Sequence, residues 1–348
     1  MNIPASDIKA ALRKIGSAKS ENLFVDTIAG RLVSHDAEIA VIVTSGKLKD
    51  PDFGEVFCVN SRKFTTVVNR MSGTISLFGG KSLKLESAKA RVEIELLPNK
   101  IPPVTPPKET LTLPLVTIKA LLDYAATGAD TNKAAAHGGV VQLTSVVGGG
   151  FSAAATNGTR LAFESLPGEG SPPFAYLIPL PALDAIKKLE GETLQAAETD
   201  KQFYFADATT SIYARKLVKQ FPNYTEFVPK TFEFSATLDA RKFEEALRTV
   251  EPFVPDVGAH AITLHFSEGS LKLNASDGGR AEDEVPYTQT FPDPIFETKE
   301  FKNKLNFVHL MDFAKAVSGD ILFQVTTDKA PAVLSADGRK LMTAAVLF

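Results

Sequence analysis

The chain has 348 residues, a formal charge of −3, one cysteine, no tryptophan, and 44% hydrophobic against 23% charged residues. That length suits two or three domains, and the composition is globular rather than disordered. A lone Cys58 excludes a disulfide framework or a cysteine-based zinc site and points to a reducing compartment.

No stretch approaches the ~18 apolar residues of a membrane span. The first residues, MNIPASDIKAALRKIG, carry charges inside a helical pattern and do not read as a signal peptide. The expectation is a soluble, cytoplasmic protein.

In chain order, apolar residues at i, i+3/i+4, i+7 spacing predict helices over 5–18, 61–71, 115–126, 181–190, 239–251 and 306–318. Ser61, Pro181, Asp239 and Asn306 are the start signals. Between the helices, ISLFGGKSLKLES (75–87), AITLHFSEGSLKLNAS (261–276) and 320–348 read as antiparallel strands joined by turns. PNKIPPVTPPKE (98–109), with its four prolines in 102–107, reads as a linker, and 221–234 as a second break. These cuts give 1–108, 109–229 and 230–348, three nearly equal pieces with two helices each. That is the signature of an internal α+β repeat; an α+β protein with coincidental spacing is the alternative.

No catalytic constellation appears. GGKS (79–82) lacks the first glycine of a phosphate loop and sits in a hairpin turn. Gly148–Gly150 lacks a following helix. The histidines His35, His137, His260, His265 and His309 show no metal-ligand spacing, and no serine lies in GxSxG. Cys58 lies in an apolar run, and Glu282–Asp283–Glu284 reads as a solvated loop. Neither an enzyme activity, a cofactor nor a metal is expected.

Charge separates by element. The six helix spans hold Lys9, Arg13, Lys14, Arg62, Lys63, Arg70, Lys119, Lys187, Lys188, Arg241, Lys242, Arg248 and Lys315 against nine acids, a net +4, so the remainder is −7. A basic helix layer on an acidic remainder suggests a polyanion on the helix side, held without sequence preference and sensitive to salt. Lysine-rich surface helices without a partner are the competing explanation.

ATNGTRLAF (155–163) and KLVKQFPNYTEFVPK (216–230) resemble segments of the bacterial DNA polymerase III beta sliding clamps. The similarity continues through LIPLPALDAIKKL (177–189), FEFSATLDARKFEEALRTV (232–250), SLKLNASDGGRAEDEV (270–285) and NFVHLMDFAKAV (306–317). The first third matches in pattern, with VSHDAEIAV at a family strand.

This resemblance implies a DNA clamp fold of three similar domains, each with two helices on antiparallel sheets. Two chains close head to tail into a ring around duplex DNA, and the basic residues above, Lys242 apart, face the DNA. The ring contact is expected around Val92, Ile94 and Phe253. The resemblance further implies a pocket for short hydrophobic motifs of polymerase, clamp loader and repair proteins. Its lining would be Leu143, Thr156, Gly158, Thr159, Arg160, Leu161, Pro222, Glu226, Phe227, Asn306, His309, Val333, Met342, Ala344, Ala345, Val346, Leu347 and Phe348.

Departures lie at Glu226, where the family often has arginine, at Ala259 and His309 in place of aromatic residues, and at the AAVLF ending. They suggest altered partner motifs and, as an alternative function, a divergent accessory or phage-type clamp. An enzyme built on repeated α+β units is the reading from another class.

Overall fold

Hairpin and helix signals resolve into an order of eight strands and two helices that occurs three times. The first set is β1 (Asn2–Pro4), α1 (Ala5–Ile15), β2 (Asn22–Asp26), β3 (Arg31–His35), β4 (Ile39–Thr44), β5 (Val56–Asn60), α2 (Ser61–Arg70), β6 (Thr74–Phe78), β7 (Ser82–Ser87) and β8 (Ala90–Glu95). The second is β9 (Leu111–Pro114), α3 (Leu115–Ala126), β10 (Val140–Ser145), β11 (Phe151–Thr156), β12 (Arg160–Leu166), β13 (Ala175–Pro179), α4 (Leu180–Ile186), β14 (Thr193–Glu198), β15 (Gln202–Ala206) and β16 (Thr210–Arg215). The third is β17 (Phe234–Asp239), α5 (Ala240–Val250), β18 (Ala261–Ser267), β19 (Ser270–Ala275), β20 (Ala281–Gln289), β21 (Glu300–Asn306), α6 (Phe307–Ala316), β22 (Asp320–Val325), β23 (Ala332–Ala336) and β24 (Arg339–Thr343). This computed structural model describes every residue except 17–19, 99, 102, 133, 136, 137, 169, 268, 278, 290–299, 347 and 348.

The strands form three sheets: β1-β6-β7-β8, then β5-β2-β3-β4-β16-β15-β14-β9, and β13-β10-β11-β12-β24-β23-β22-β17-β20-β19-β18-β21. Within each set, strands one, six, seven and eight are neighbours, and so are five, two, three and four. The fourth strand of one set then pairs with the eighth of the next, β4 with β16 (Ile212 opposite Val41) and β12 with β24 (Leu161 opposite Met342).

The chain falls into two compact units, 1–119 with 178–218, and 120–177 with 219–348. Sheet continuity explains the division. The middle set gives one half-sheet to the β4–β16 junction and the other to the β12–β24 junction.

In the first unit, Ile8, Leu12 and Ile15 of α1 and Phe64 and Val68 of α2 are buried, as their spacing predicts. The cap of α2 is Asn60, whose side chain accepts from Lys63 N–H; the expected start, Ser61, is the first helical residue. Pro181 sits in the first turn of α4, where a missing N–H costs nothing. That helix ends at Ile186, short of the predicted 190.

The described residues of the proline-rich stretch lie in neither helix nor strand, yet some of them are packed. Leu97, Ile101 and Val104 pack on a cluster that includes Phe24, Val33, Ile42 and Tyr213.

In the second unit, Asp239 caps α5 on Lys242 N–H and Asn306 caps α6 on His309 N–H, both as expected. Phe243, Leu247 and Val250 of α5 join Leu310 and Phe313 of α6 in a core floored by the β17, β18, β19 and β22 side chains. Glu282, Asp283 and Glu284, expected in a solvated loop, lie inside β20 opposite Asn274, Leu273 and Lys272. Alternation keeps both glutamates exposed while neighbouring Val285 is buried, so a strand accommodates the acidic run.

Candidate functional site

The second unit gathers most of the predicted pocket residues. Between β11 and β12 the chain turns through TNGT. Thr156 Oγ1 donates to the Arg160 carbonyl at 2.6 Å, and Asn157 Oδ1 accepts from Thr159 N–H at 3.0 Å and Arg160 N–H at 2.8 Å. Gly158 stands at φ +87°, a conformation side chains rarely adopt. The turn is therefore built by its own sequence, and it delivers Arg160 and Leu161 to opposite faces of one sheet.

On one face, Leu161 lies opposite Met342, and Met342 opposite Val333. Leu161 and Val333 are each 3% exposed and would be the floor of the expected pocket, while Met342 is half-buried. Phe163, two residues along, meets the ring of Tyr224 with centroids 5.3 Å apart, and Phe221 meets the same ring at 6.2 Å. This stacking seats the 3-10 turn Tyr224–Glu226 beside the floor. Pro222 is half-buried and Phe227 is 63% exposed. Glu226 is exposed, with one carboxylate oxygen held by Asn223 Nδ2 at 2.6 Å.

From β24 the chain continues across the turn. Ala344 N–H donates to the Thr159 carbonyl at 2.8 Å, and Val346 N–H to the Lys304 carbonyl at 2.8 Å. Ala345 is half-buried; Leu347 and Phe348 lie outside the described residues.

The other face carries polar groups under α6. Arg160 pairs with Asp312 at 2.8 Å. His309, 7% exposed, has its Nδ1 at 2.9 Å from Thr343 Oγ1. Burial, and secondarily the Arg160 cation, push the imidazole down to about 4, so it is neutral at pH 7. Four residues further along β12, Glu164 meets Arg339 at 3.2 Å, and Arg339 lies over the Tyr124 ring. Burial raises both the Glu164 carboxyl and the Tyr124 hydroxyl.

Arg160 and His309, expected in the lining, thus brace the floor from behind. Leu143 does not join the lining at all. Its register through Ala153 to Glu164 puts it, fully buried, on the helix-side face. Asn306 caps α6 and its Nδ2 donates to the Ala259 carbonyl at 2.7 Å.

Sequence reasoning missed Tyr224, Asp312, Thr343 and Lys304. The FPNY block carried a signal for Tyr224. The others act through strand register and helix packing, which leave no local mark.

Several of the helix cations are tied to named partners. Lys14 binds Glu190 at 2.8 Å, Arg241 binds Glu245 at 3.2 Å and Arg248 binds Glu244 at 2.6 Å. Lys119 donates to the Leu189 carbonyl at 2.6 Å, and burial lowers the Lys188 ammonium. Arg13, Arg62, Lys63, Arg70, Lys187 and Lys315 are exposed, and Lys9 is half-buried.

Of the expected ring-contact residues, Val92 and Ile94 lie opposite Leu85 and Leu83 of β7. Ile94 is buried in its own chain. Phe253 is half-buried on the second unit's core, where a Cβ at Gly279 would come within 2.8 Å of its ring.

Among the described residues no group of His, Cys, Asp and Glu could hold a metal ion, and no helix is long and apolar enough to cross a membrane.

No family model matches the chain. Solved structures that resemble it include DNA polymerase III beta subunit from Thermotoga maritima (TM-score 0.86, 15% identity) and a DNA polymerase sliding clamp from Pseudomonas aeruginosa (0.86, 16%). DNA polymerase III beta chain from Streptococcus pneumoniae is similar as well (0.87, 16%), and each likeness covers 100% of this chain and 99% of the other. The fold is therefore that of the DNA polymerase sliding clamps, an α+β architecture.

Within that class the chain resembles the bacterial beta clamps in sequence too. Over 211 residues it is 26% identical to the beta sliding clamp of Synechococcus elongatus, a stretch of 57% of this chain and 54% of that relative. The chain thus matches about half the length of the curated relative.

Proposed function

We infer that this protein is a DNA sliding clamp, a non-catalytic processivity factor that encircles duplex DNA and tethers a polymerase and other clamp-binding proteins. The reading takes 1–108, 109–229 and 230–348 as three clamp domains, working in the cytoplasm. It is carried by one observation, the rule of edge sharing. Each fourth strand pairs with the eighth strand of the next set, as β4 with β16 and β12 with β24. The rule leaves β8 as the edge of its sheet, paired with β7, and, as the remaining fourth strand, β20, which pairs with β19 over 281–286 and with β17 only over 287–289.

A second copy, turned head to tail, supplies β8 to β20 and β20 to β8. The β8 edge and the open side of residues 281–286 are then closed by a homodimer. The exposed cations of α1, α2 and α6 suit phosphate contacts without base readout, which lets a closed ring slide. The Leu161–Val333 floor, rimmed by Met342, Pro222 and Phe227, suits the apolar anchors of a short peptide.

Retention on nicked circular DNA, with release when that DNA is linearised, tests encirclement. A solution mass of two chains tests the dimer. Equal release from both DNA forms, or a monomer at micromolar concentration, would overturn this reading. Adding the host's clamp loader and polymerase separates a replicative clamp from a divergent accessory or phage-type one, which would not be loaded.

A further inference from the structure

The two seams inside one chain hold a common register, and it can be carried to a seam between two chains. Pro4, Pro114 and Asp239 precede the first helix of each set and face Thr74, Thr193 and Asp320. Two residues on, the ladders lead from Ser76 through Glu86 to Arg91 and from Gln195 through Ala206 to Ser211. The third leads from Leu322 through Ser335 to Lys340. Arg91, Ser211 and Lys340 therefore hold one place in the three eighth strands.

The fourth strands can be counted in the same way. Asn60 and Asn306 cap α2 and α6 and face Asn22 and Ala261. Two residues on, Phe24 leads through Val33 to Ile42, and Thr263 through Asn274 to Glu282. Ile42 faces Ser211 across the first seam, and Phe163 faces Lys340 across the second. By the same rule, Glu282 of one chain faces Arg91 of another.

Antiparallel pairing then fixes the neighbours. Val92 meets Ala281 on the inward face, and Glu93 meets Arg280 on the outward face. Glu284 falls beside Lys89, at the place where Thr44 N–H meets the Thr209 carbonyl in the first seam. All three outward pairs are of opposite charge. A slip of two residues one way sets Glu282 against Glu93, and the other way Arg280 against Arg91. Like charges directly opposite are destabilising, and a slip of one residue exchanges the faces.

These charges keep their present partners when the seam closes. Arg280 holds Glu282 at 2.8 Å, Arg91 lies 3.5 Å from Glu86, and Lys84 faces Glu93. The closed seam reads Glu86, Arg91, Glu282, Arg280, Glu93, Lys84, alternating in sign throughout. A guanidinium has five donors, enough for a carboxylate on either side.

We propose that β8 meets residues 281–286 of a second copy in this register alone, and that the Glu282–Arg91 and Arg280–Glu93 pairs select it. The proposal rests on the dimer reading above and adds the register and the residues that set it.

The test uses the full chain in sedimentation velocity and native mass spectrometry. Arg91→Glu alone, or Glu282→Arg alone, puts like charges at both seams and should weaken the dimer about tenfold or more. Mixing the two variants restores an opposite pair at each seam, one native and one reversed. A heterodimer should then form as tightly as the native dimer, which also shows that both variants are folded. In a second measurement, Val92→Cys with Ala281→Cys should oxidise to a covalent dimer, whereas Val92→Cys with Asp283→Cys should not.

Variants that dimerise as tightly as the native chain and mix at random would overturn the proposal and leave the dimer intact. So would variants that stay apart when mixed, or cross-linking that favours position 283 over 281. A native chain that is monomeric at micromolar concentration would overturn the dimer reading and the proposal with it.

Discussion

His309 gives the second unit a pH-dependent stability that can be worked out in advance. Its ring is buried under α6, faces Thr343 Oγ1 at 2.9 Å, and shares that face with the Arg160–Asp312 pair. The folded chain resists protonating it until about pH 4, because burial and then the Arg160 cation disfavour imidazolium. An unfolded histidine takes its proton near 6.5.

Above pH 6.5 both states are neutral and the linkage is silent. As pH falls below that, the unfolded state binds a proton that the folded state refuses, so stability declines by up to ~1.4 kcal/mol per pH unit. At about pH 4.5 the loss from this residue is ~2.5 kcal/mol. In His309→Gln the amide can still meet Thr343, and that decline is absent. Urea denaturation of both proteins from about pH 7.5 to 4.5 should show the native protein more stable at the upper end and the gap closing on acidification. A gap that stays constant across the range would show that His309 titrates normally and refute the burial argument.

Removing Arg339 as Arg339→Met strands the buried Glu164 carboxylate and should cost ~3–5 kcal/mol in denaturant titrations; a cost below about 1 kcal/mol would mean that water reaches the pair. Gly158→Ala forces a side chain into φ +87° and should destabilise by about 1 kcal/mol or more, seen as a lowered urea midpoint, with an unchanged midpoint as the contrary result. Arg13→Ala with Arg70→Ala should flatten the salt dependence of DNA association by ~0.9 for each phosphate no longer neutralised. The flattening should exceed that of Arg241→Ala with Arg248→Ala, whose guanidinium groups are tied to glutamates. Equal slopes in both variants would remove α1 and α2 from the DNA face. Deleting residues 346–348 should abolish peptide binding and leave retention on circular DNA unchanged; retained peptide affinity would take the tail out of the pocket.

Periodicity located all six described helices because their buried stripes, such as Phe243, Leu247 and Val250, are strictly local signals. The repeat was legible for the same reason. Strand pairing was not, because nothing near Leu161 announces Met342, in the last strand of the chain, as its neighbour. Leu143 shows the consequence, since strand pairing puts it on the face opposite Leu161 and a shift of one residue along a strand exchanges the two faces. The proline-rich stretch misled in another way. Its prolines exclude regular structure but not packing, and Ile101 and Val104 between them supply the apolar contacts.

Edge sharing also bears on what can be taken apart. Residues 109–229 look like a self-contained third, yet both of their half-sheets are completed by neighbours, at β16 by β4 and at β12 by β24. Excised at those boundaries, the piece would carry two raw strand edges and the bared apolar side chains of Leu161 and Ile212, a template for aggregation rather than a soluble fragment. Fragments that respect the sheets would have to be drawn through the middle of that third, along the line between 1–119 with 178–218 and the remainder. A protein so joined is resistant to modular exchange: a middle third transplanted from a relative must match strangers along two seams at once.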